Sequence, residues 1–251
     1  MRVALKFAYN SKNFNGYARQ PNIKTVEQEI INFLIKNDYI KDAKTSTFRS
    51  ASRTDKGVSA LSNVIAFSGD YSTSNIYNTI SDGFLDIIIY GIAEVNEDFN
   101  PRYAKLRQYR YYLIKNKLNV KKIIQTSNIF TGLQNFSNFT RAEEFRNPVR
   151  SIENIVISEN KDFLIFDFFA QNFLWNQIRR IISALTKVGN NKIEKEEIAK
   201  ALDNPNKKVD FGLAPAEPLI LIDIFYNFDF KIDYNNFKKA KLLESQIISN
   251  L

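Results

Sequence analysis

Apolar and polar positions alternate from the first residues: Val3, Leu5, Phe7 and Tyr9 interleave with Arg2, Ala4, Lys6 and Ala8, the two-residue period of a half-buried strand. A loop marked by Asn10, Asn13, Asn15 and Gly16 follows. Thr25 then stands three residues before Gln28, a capping-box spacing, and Val26, Ile30, Phe33 and Leu34 behind it form one helical stripe. The chain therefore opens strand, loop, helix. A second strand is expected at about residues 45–49, and strands again at 64–67 and 87–95. Between them residues 52–57 read as a tight loop, because Gly57 supplies a backbone conformation closed to other residues.

Pro101 cannot donate to a ladder and restricts Asn100 before it, so the chain divides there into two halves, residues 1–102 and 103–251. The second half opens on an aromatic-rich strand at 109–114, with further strands at 152–157, 163–170 and 219–226. Residues 175–188 read as a helix in which Trp175, Ile178, Ile181, Ile182, Leu185 and Val188 share an arc of about 140°. Arg180 points away from that arc and Arg179 lies on its border. Helices at 194–202 and 237–248 complete the pattern. Strands and helices mix without a regular βαβα beat, which implies an α+β fold: two mixed α/β subdomains with antiparallel sheets flanked by helices.

A length of 251 residues suits one large domain or two small ones, and 44% hydrophobic against 25% charged residues allows a real core. The net charge of +8 attracts polyanions such as nucleic acid or an anionic membrane face, although A/T-rich coding would also produce this Asn, Ile, Lys, Phe and Tyr content. The missing residue types narrow the chemistry further. With no Cys there is no disulfide frame, thiolate nucleophile or sulfur-ligated zinc; with no His there is no Ser-His-Asp triad and no imidazole base or metal ligand. Catalysis must use carboxylates, Lys, Arg, Tyr, hydroxyls or an oxygen-held metal. The opening residues do not form a signal peptide and no apolar run reaches the roughly 18 residues that span a bilayer, so the expected setting is the cytoplasm, away from membranes.

Three places could carry chemistry. In Arg53-Thr54-Asp55-Lys56-Gly57-Val58 a carboxylate sits on a rigidly framed, reachable loop, where two flanking cations would favour its ionised form as nucleophile or base. The plainer reading is a β-turn whose Asp bonds its own backbone. Arg179 either lays its stem on the core with its head in water, or faces inward to pair with a carboxylate. Tyr109, Tyr111 and Tyr112 either fill the core or, interleaved with Arg107 and Arg110, stack an unpaired base while the cations meet phosphate. Alternation places Tyr109 and Tyr111 on one face, Arg110 and Tyr112 on the other. Asp82, Asp86, Glu94, Glu97 and Asp98 could hold magnesium, though nothing in their spacing requires it.

Taken together these segments resemble the TruA family of tRNA pseudouridine synthases over nearly the whole chain. Arg53-Thr54-Asp55-Lys56-Gly57-Val58-Ser59-Ala60 resembles its catalytic loop, with Asp55 at the essential aspartate. Phe99-Asn100-Pro101-Arg102-Tyr103 and then Tyr109-Arg110-Tyr111 resemble its second motif, whose first tyrosine lies against the target base. Asn172-Phe173-Leu174 with Gln177-Ile178-Arg179 resembles the third, placing Arg179 at the arginine paired with the aspartate; Ala214-Pro215-Ala216-Glu217-Pro218-Leu219 resembles a fourth. Asn10, Tyr17-Ala18-Arg19-Gln20 and Ser59 depart from the bacterial pattern toward the archaeal and eukaryotic branches.

The resemblance implies a pseudouridine synthase fold with a central basic cleft, and isomerisation of uridines 38–40 in the anticodon stem-loop of tRNA. It implies no cofactor and no metal: the bond from uracil N1 to ribose breaks, the base turns, and it rejoins through C5. The roles implied are Asp55 as nucleophile or base, Arg179 as its partner, Arg53 on phosphate or in flipping the uridine, and Tyr109 stacked on the uracil. Lys56, Arg19 and Arg110 then belong to the tRNA surface, with Lys12 and Arg107, and the working form is a homodimer. A non-catalytic RNA-binding module and a magnesium-dependent nuclease or phosphoryl transferase are the alternatives from other classes.

Overall fold

The computed structural model describes residues 1–70, 73–80, 83–141 and 147–251. Its elements in chain order are β1 (Arg2–Tyr9), α1 (Val26–Lys36), β2 (Arg49–Ser50), β3 (Ser59–Ser68), α2 (Thr73–Ile80), β4 (Ile87–Val95), β5 (Leu106–Ile114), α3 (Val120–Ser127), β6 (Gly132–Asn135), β7 (Val149–Ile152), β8 (Asn154–Glu159), β9 (Phe163–Ala170), α4 (Gln177–Gly189), α5 (Lys195–Asp203), β10 (Leu219–Phe225), β11 (Lys231–Ile232) and α6 (Tyr234–Ile248). The α+β expectation stands. The chain divides into two compact units, Met1–Lys105 with Ile220–Leu251, and Leu106–Leu219. A single cut near residue 102 captures the first boundary but not the return of the C-terminal segment to the first unit.

In the first unit β1 lies between β3 and β4, antiparallel to both, with β2 beside β3 and β11 beside β4. The sheet is not purely antiparallel as expected: β10 runs parallel to β3, Ile220 opposite Ser59 and Leu221 opposite Ala60. A parallel neighbour needs a long crossover, and here it is the whole second unit that intervenes in sequence. β1 is also not half-buried; Lys6 alone is intermediate and the other seven residues are buried. The second face is covered because it is built from small residues and stems. Ala8 sits under Ala240 of α6 and Tyr90 of β4, Lys6 reaches Asp223 at 2.7 Å, and Arg2 donates to the Phe99 and Thr47 carbonyls.

Thr25 caps α1 as its spacing predicts, accepting from the Gln28 N–H. The strand expected at 45–49 shrinks to β2. Asp42 accepts from the Lys44 and Thr45 N–H groups at 2.7 and 2.8 Å, and Thr47 takes φ +47°, so the backbone turns before it can pair.

In the second unit β9 pairs antiparallel with β5 on one side and β8 on the other, and β6 pairs with β7. Phe130, Phe136, Phe139, Phe166 and Phe168 are fully buried, and Phe139 stacks on Phe211 at 5.2 Å between centroids. α4 buries Ile178, Ile181, Ile182, Leu185 and Val188, the stripe read from sequence. Trp175 is the exception: Asn176 adopts φ +64°, which Asn tolerates, and this stops the helix short of Trp175. The indole is 38% exposed and lies under the Arg141 guanidinium, 4.1 Å from its centroid.

Candidate active site

The Asp55 loop joins β2 to β3 and is held by its neighbours in sequence. Val58 N–H donates to the Asp55 carbonyl at 3.1 Å, closing a turn in which Gly57 has φ +90°. Before the aspartate, Thr54 is buried, with its hydroxyl 2.7 Å from the Tyr9 hydroxyl and its carbonyl accepting from Tyr17 N–H at 3.2 Å. After it, the Gly57 carbonyl accepts from Ser11 Oγ at 2.8 Å, and Ser59 Oγ accepts from Ser11 N–H at 3.0 Å. Gly16 is needed for this approach: at φ +99°, a Cβ there would stand 3.3 Å from the Lys56 nitrogen. The Asp55 side chain is half-buried, while Arg53 and Lys56 on either side are exposed.

Beneath the loop lies a buried polar relay that sequence reading missed. Tyr17 OH donates to Ser50 Oγ at 2.8 Å, Ser50 Oγ donates to Glu27 Oε1 at 3.0 Å, and Glu27 Oε2 accepts from Arg19 N–H at 3.1 Å. The Arg19 guanidinium pairs with the same oxygen at 3.7 Å and remains half exposed. Helical geometry held a signal for Glu27: at 100° from Val26 it falls inside the arc of Ile30, Leu34 and Ile31, a carboxylate on the face that meets the core.

Burial, reinforced by the nearby Glu27 charge, holds the Tyr17 phenol above the usual tyrosine range; burial also raises Tyr90 and Tyr111. Above about pH 10 the unfolded chain releases phenolic protons that the fold keeps, so stability is full below that point and falls as pH rises. Thermal melts from neutral to strongly alkaline pH should show the decline. The Tyr17→Phe variant, costing about 1 kcal/mol at neutral pH through the lost hydrogen bond, should decline less steeply.

In the second unit three of the sequence blocks converge. Arg179 on α4 donates from Nε to the Ala214 carbonyl at 2.8 Å, while its own carbonyl accepts from Ala214 N–H at 3.2 Å. Tyr111 on β5 is buried, donates to the Pro215 carbonyl at 3.2 Å, and feels the charges of Arg179 and Glu217. Tyr109, two residues earlier, is half-buried with Phe173 packed edge-to-face on its ring at 5.3 Å. Asn172 and Asn176 in the same turn each bury a carbonyl oxygen that no hydrogen bond satisfies.

Other cations have structural partners. Arg110 forms a two-pronged pair with Asp167, its register partner on β9, both contacts at 2.9 Å, and Gln108 donates to the same carboxylate. Arg107 was expected on the phosphate surface, but it is 5% exposed and donates to the Gln171 carbonyl. Arg180 pairs with the exposed Asp210 at 2.8 Å. Of the carboxylates considered for magnesium, Asp82 lies outside the described residues, and Asp86 takes Asn13 and Lys24 at 2.7 and 2.8 Å. Among the described residues no three carboxylates gather to hold a metal ion. Nor is any helix among them long and apolar enough to cross a membrane.

Residues 127–227 match a family model described as tRNA pseudouridine synthase. The tRNA pseudouridine synthase A of Thermococcus sibiricus is 41% identical over 245 residues, covering 96% of this chain and 91% of that protein. The chain belongs to the tRNA pseudouridine synthase family. The enzyme of the same name from Pyrococcus furiosus is also 41% identical, over 95% of this chain and 89% of its own, and that from Methanobrevibacter smithii is 36% identical over 90% and 83%. Matches of this length span the Asp55 loop as well as Arg179. A chain in the crystal structure of a Cbf5-Nop10-Gar1 complex aligns with TM-score 0.39 and 14% identity over 72% of this chain and 46% of that one, too distant a likeness to add to the assignment. As a member of the tRNA pseudouridine synthase family the protein is an isomerase, a chemistry within reach of a chain that has neither His nor Cys.

Proposed function

We propose that the chain converts uridine to pseudouridine in the anticodon stem-loop of tRNA, with the Asp55 carboxylate as the reacting group. The observation that carries this reading is the loop itself. A half-buried carboxylate is mounted on a turn whose residues on both sides are pinned by hydrogen bonds to Tyr9, Ser11 and Tyr17. Such a frame fixes where the reacting atom stands.

The reaction is an internal exchange. The bond between uracil N1 and the ribose carbon breaks, the same carbon joins uracil C5, and the proton on C5 leaves as N1 gains one. Asp55 acts as nucleophile or base, and the family resemblance supports Arg179 as the counter-charge to that carboxylate. Phe173 fixes the plane of the Tyr109 ring, which stacks on the uracil. The uridine must leave its helical stack, at a cost of a few kcal/mol that is lower in a loop than in a duplex, which favours the anticodon arm. Arg53, Lys56 and Arg19 take backbone phosphate; the Asp167 pair gives Arg110 a structural task instead, and it is left out of this set. The family resemblance further supports a homodimer working in the cytoplasm, where sedimentation should show two copies.

Unmodified tRNA transcripts incubated with the protein and mapped position by position should gain pseudouridine in the anticodon arm. Pseudouridine confined to other regions would overturn the choice of substrate site, and none at all would overturn the reaction.

A further inference from the structure

Beside the Asp55 loop the first unit holds an open cleft of ≈ 570 Å³ whose lining includes Arg19, Lys44, Arg49, Arg53 and Arg102. These cations come from three separate stretches of chain, around residue 19, residues 44–53 and residue 102, and all five are exposed. Two carboxylates share the lining, Glu27 and Asp42, but both are engaged within the protein. Glu27 serves the Ser50 hydroxyl and Arg19. Asp42 accepts from Thr45 N–H, Thr45 Oγ1 and Lys44 N–H at 2.8, 2.8 and 2.7 Å, bonds that hold its carboxyl below the usual range, led by that from the Thr45 backbone. Five cations against two carboxylates leave the lining net positive.

Like charges gathered around one concavity repel unless a polyanion occupies it. The walls offer Phe48 as an apolar surface but no deep greasy pocket, so a flexible charged strand fits better than a compact apolar ligand. Arg49 donates to the Phe48 carbonyl at 3.0 Å, which anchors its guanidinium at the rim. Arg53 belongs both to this cleft and to the loop that carries Asp55 two residues on, so an occupant of the cleft is adjacent along the chain to the reacting carboxylate.

We infer that this cleft is a phosphodiester track: Lys44, Arg49 and Arg102, with Arg53 and Arg19, hold consecutive phosphates of the tRNA strand next to the uridine being isomerised. The inference rests on the reaction proposed above and extends it to residues outside the family motif blocks around Asp55, in particular Lys44 and Arg49.

The test compares the parent protein with the Lys44→Gln/Arg49→Gln double variant, both sites being exposed and outside the core. Binding of an unmodified tRNA transcript is measured from about 50 to about 200 mM KCl. Loss of two phosphate contacts should flatten the slope of log K against log salt by about 1.4–1.8 and weaken binding roughly tenfold at the lower salt. The loss should fall in KM rather than kcat, as expected for contacts made equally before and during reaction. A slope and affinity equal to the parent's overturn the track. Inorganic phosphate, added at constant ionic strength, should compete no better than chloride. Submillimolar competition lost in the double variant would make the cleft a pocket for small free anions and overturn the strand reading. Pseudouridine formation by the parent is followed in the same samples. Its absence overturns the reaction, whereas parent turnover with an unchanged slope overturns the track alone.

Discussion

Asp55→Asn is expected to abolish pseudouridine formation while tRNA affinity holds within a few-fold. Asn keeps the shape of the side chain and removes the charge and the basic oxygen, so a nucleophile or base at this position is lost outright. The loop should survive the change. Its fixed points are the Thr54 hydroxyl and carbonyl, the Gly57 carbonyl and Ser59 Oγ, each held by Tyr9, Tyr17 or Ser11. A thermal melt close to the parent's would confirm that the fold is intact. Loss of a covalent or proton-transferring group typically costs on the order of 10⁴-fold or more, so assays with labelled transcript in excess should show no product over the time in which the parent completes many turnovers. A comparable rate in the Asn variant would remove Asp55 from the reaction and return the chain to a binding role.

Sequence made the strands β4 and β9 legible to the residue, because each is a largely apolar or aromatic run, interrupted only by Gly91 and Glu94 in one and Asp167 in the other. It was less informative where one residue's side chain competes with the backbone ladder. Asp42 captures two amide protons and turns residues 45–47 that otherwise look β-prone, and Asn176 enters the left-handed region and cuts Trp175 off from α4. Burial of the second face of β1 depends on α6, more than two hundred residues away, so local alternation suggests a water-facing side that tertiary packing then covers. The same distance hides the parallel pairing of β10 with β3.

The chemistry was legible through blocks of unusual residues rather than through periodicity. Asp55 on its tight loop and Arg179 at the edge of an apolar arc stand out because a charged group at such a position calls for a reason. What stayed hidden was which cations are engaged. Arg107 and Arg110 read as surface charge beside aromatic rings, yet Arg107 is buried against a carbonyl and Arg110 is tied to Asp167. A strand cation has a cross-strand partner set by register, and register between β5 and β9 is not written in either segment alone. Arg19 and Arg53 were expected on the tRNA, but their gathering with Lys44, Arg49 and Arg102 around one cleft was hidden, since residue 19, the 44–53 stretch and residue 102 meet only after folding.

Arg179→Lys should lower kcat on the order of 10²–10³-fold with little change in melting temperature. The guanidinium has five donors in a fixed fork; its Nε is committed to the Ala214 carbonyl at 2.8 Å, and that bond sets the plane in which the other nitrogens lie. Lysine carries the same charge on a single flexible ammonium. It can satisfy the Ala214 carbonyl or present its charge to a reacting group, but it cannot do the first as a means of aiming the second, and loss of one aimed charge at a reaction centre typically costs a factor in that range. The fold tolerates the change because α4 is held by Ile178, Ile181, Ile182, Leu185 and Val188, and because Tyr111 and Ala214 N–H keep their own bonds to the 214–215 segment and to the Arg179 carbonyl. Steady-state kinetics on tRNA transcripts, with melts alongside, separate the two roles open to this residue. A drop in kcat at constant stability marks a group that acts in the reaction. A lower melting temperature with kcat retained would make Arg179 a lace between α4 and the 214–217 segment and nothing more.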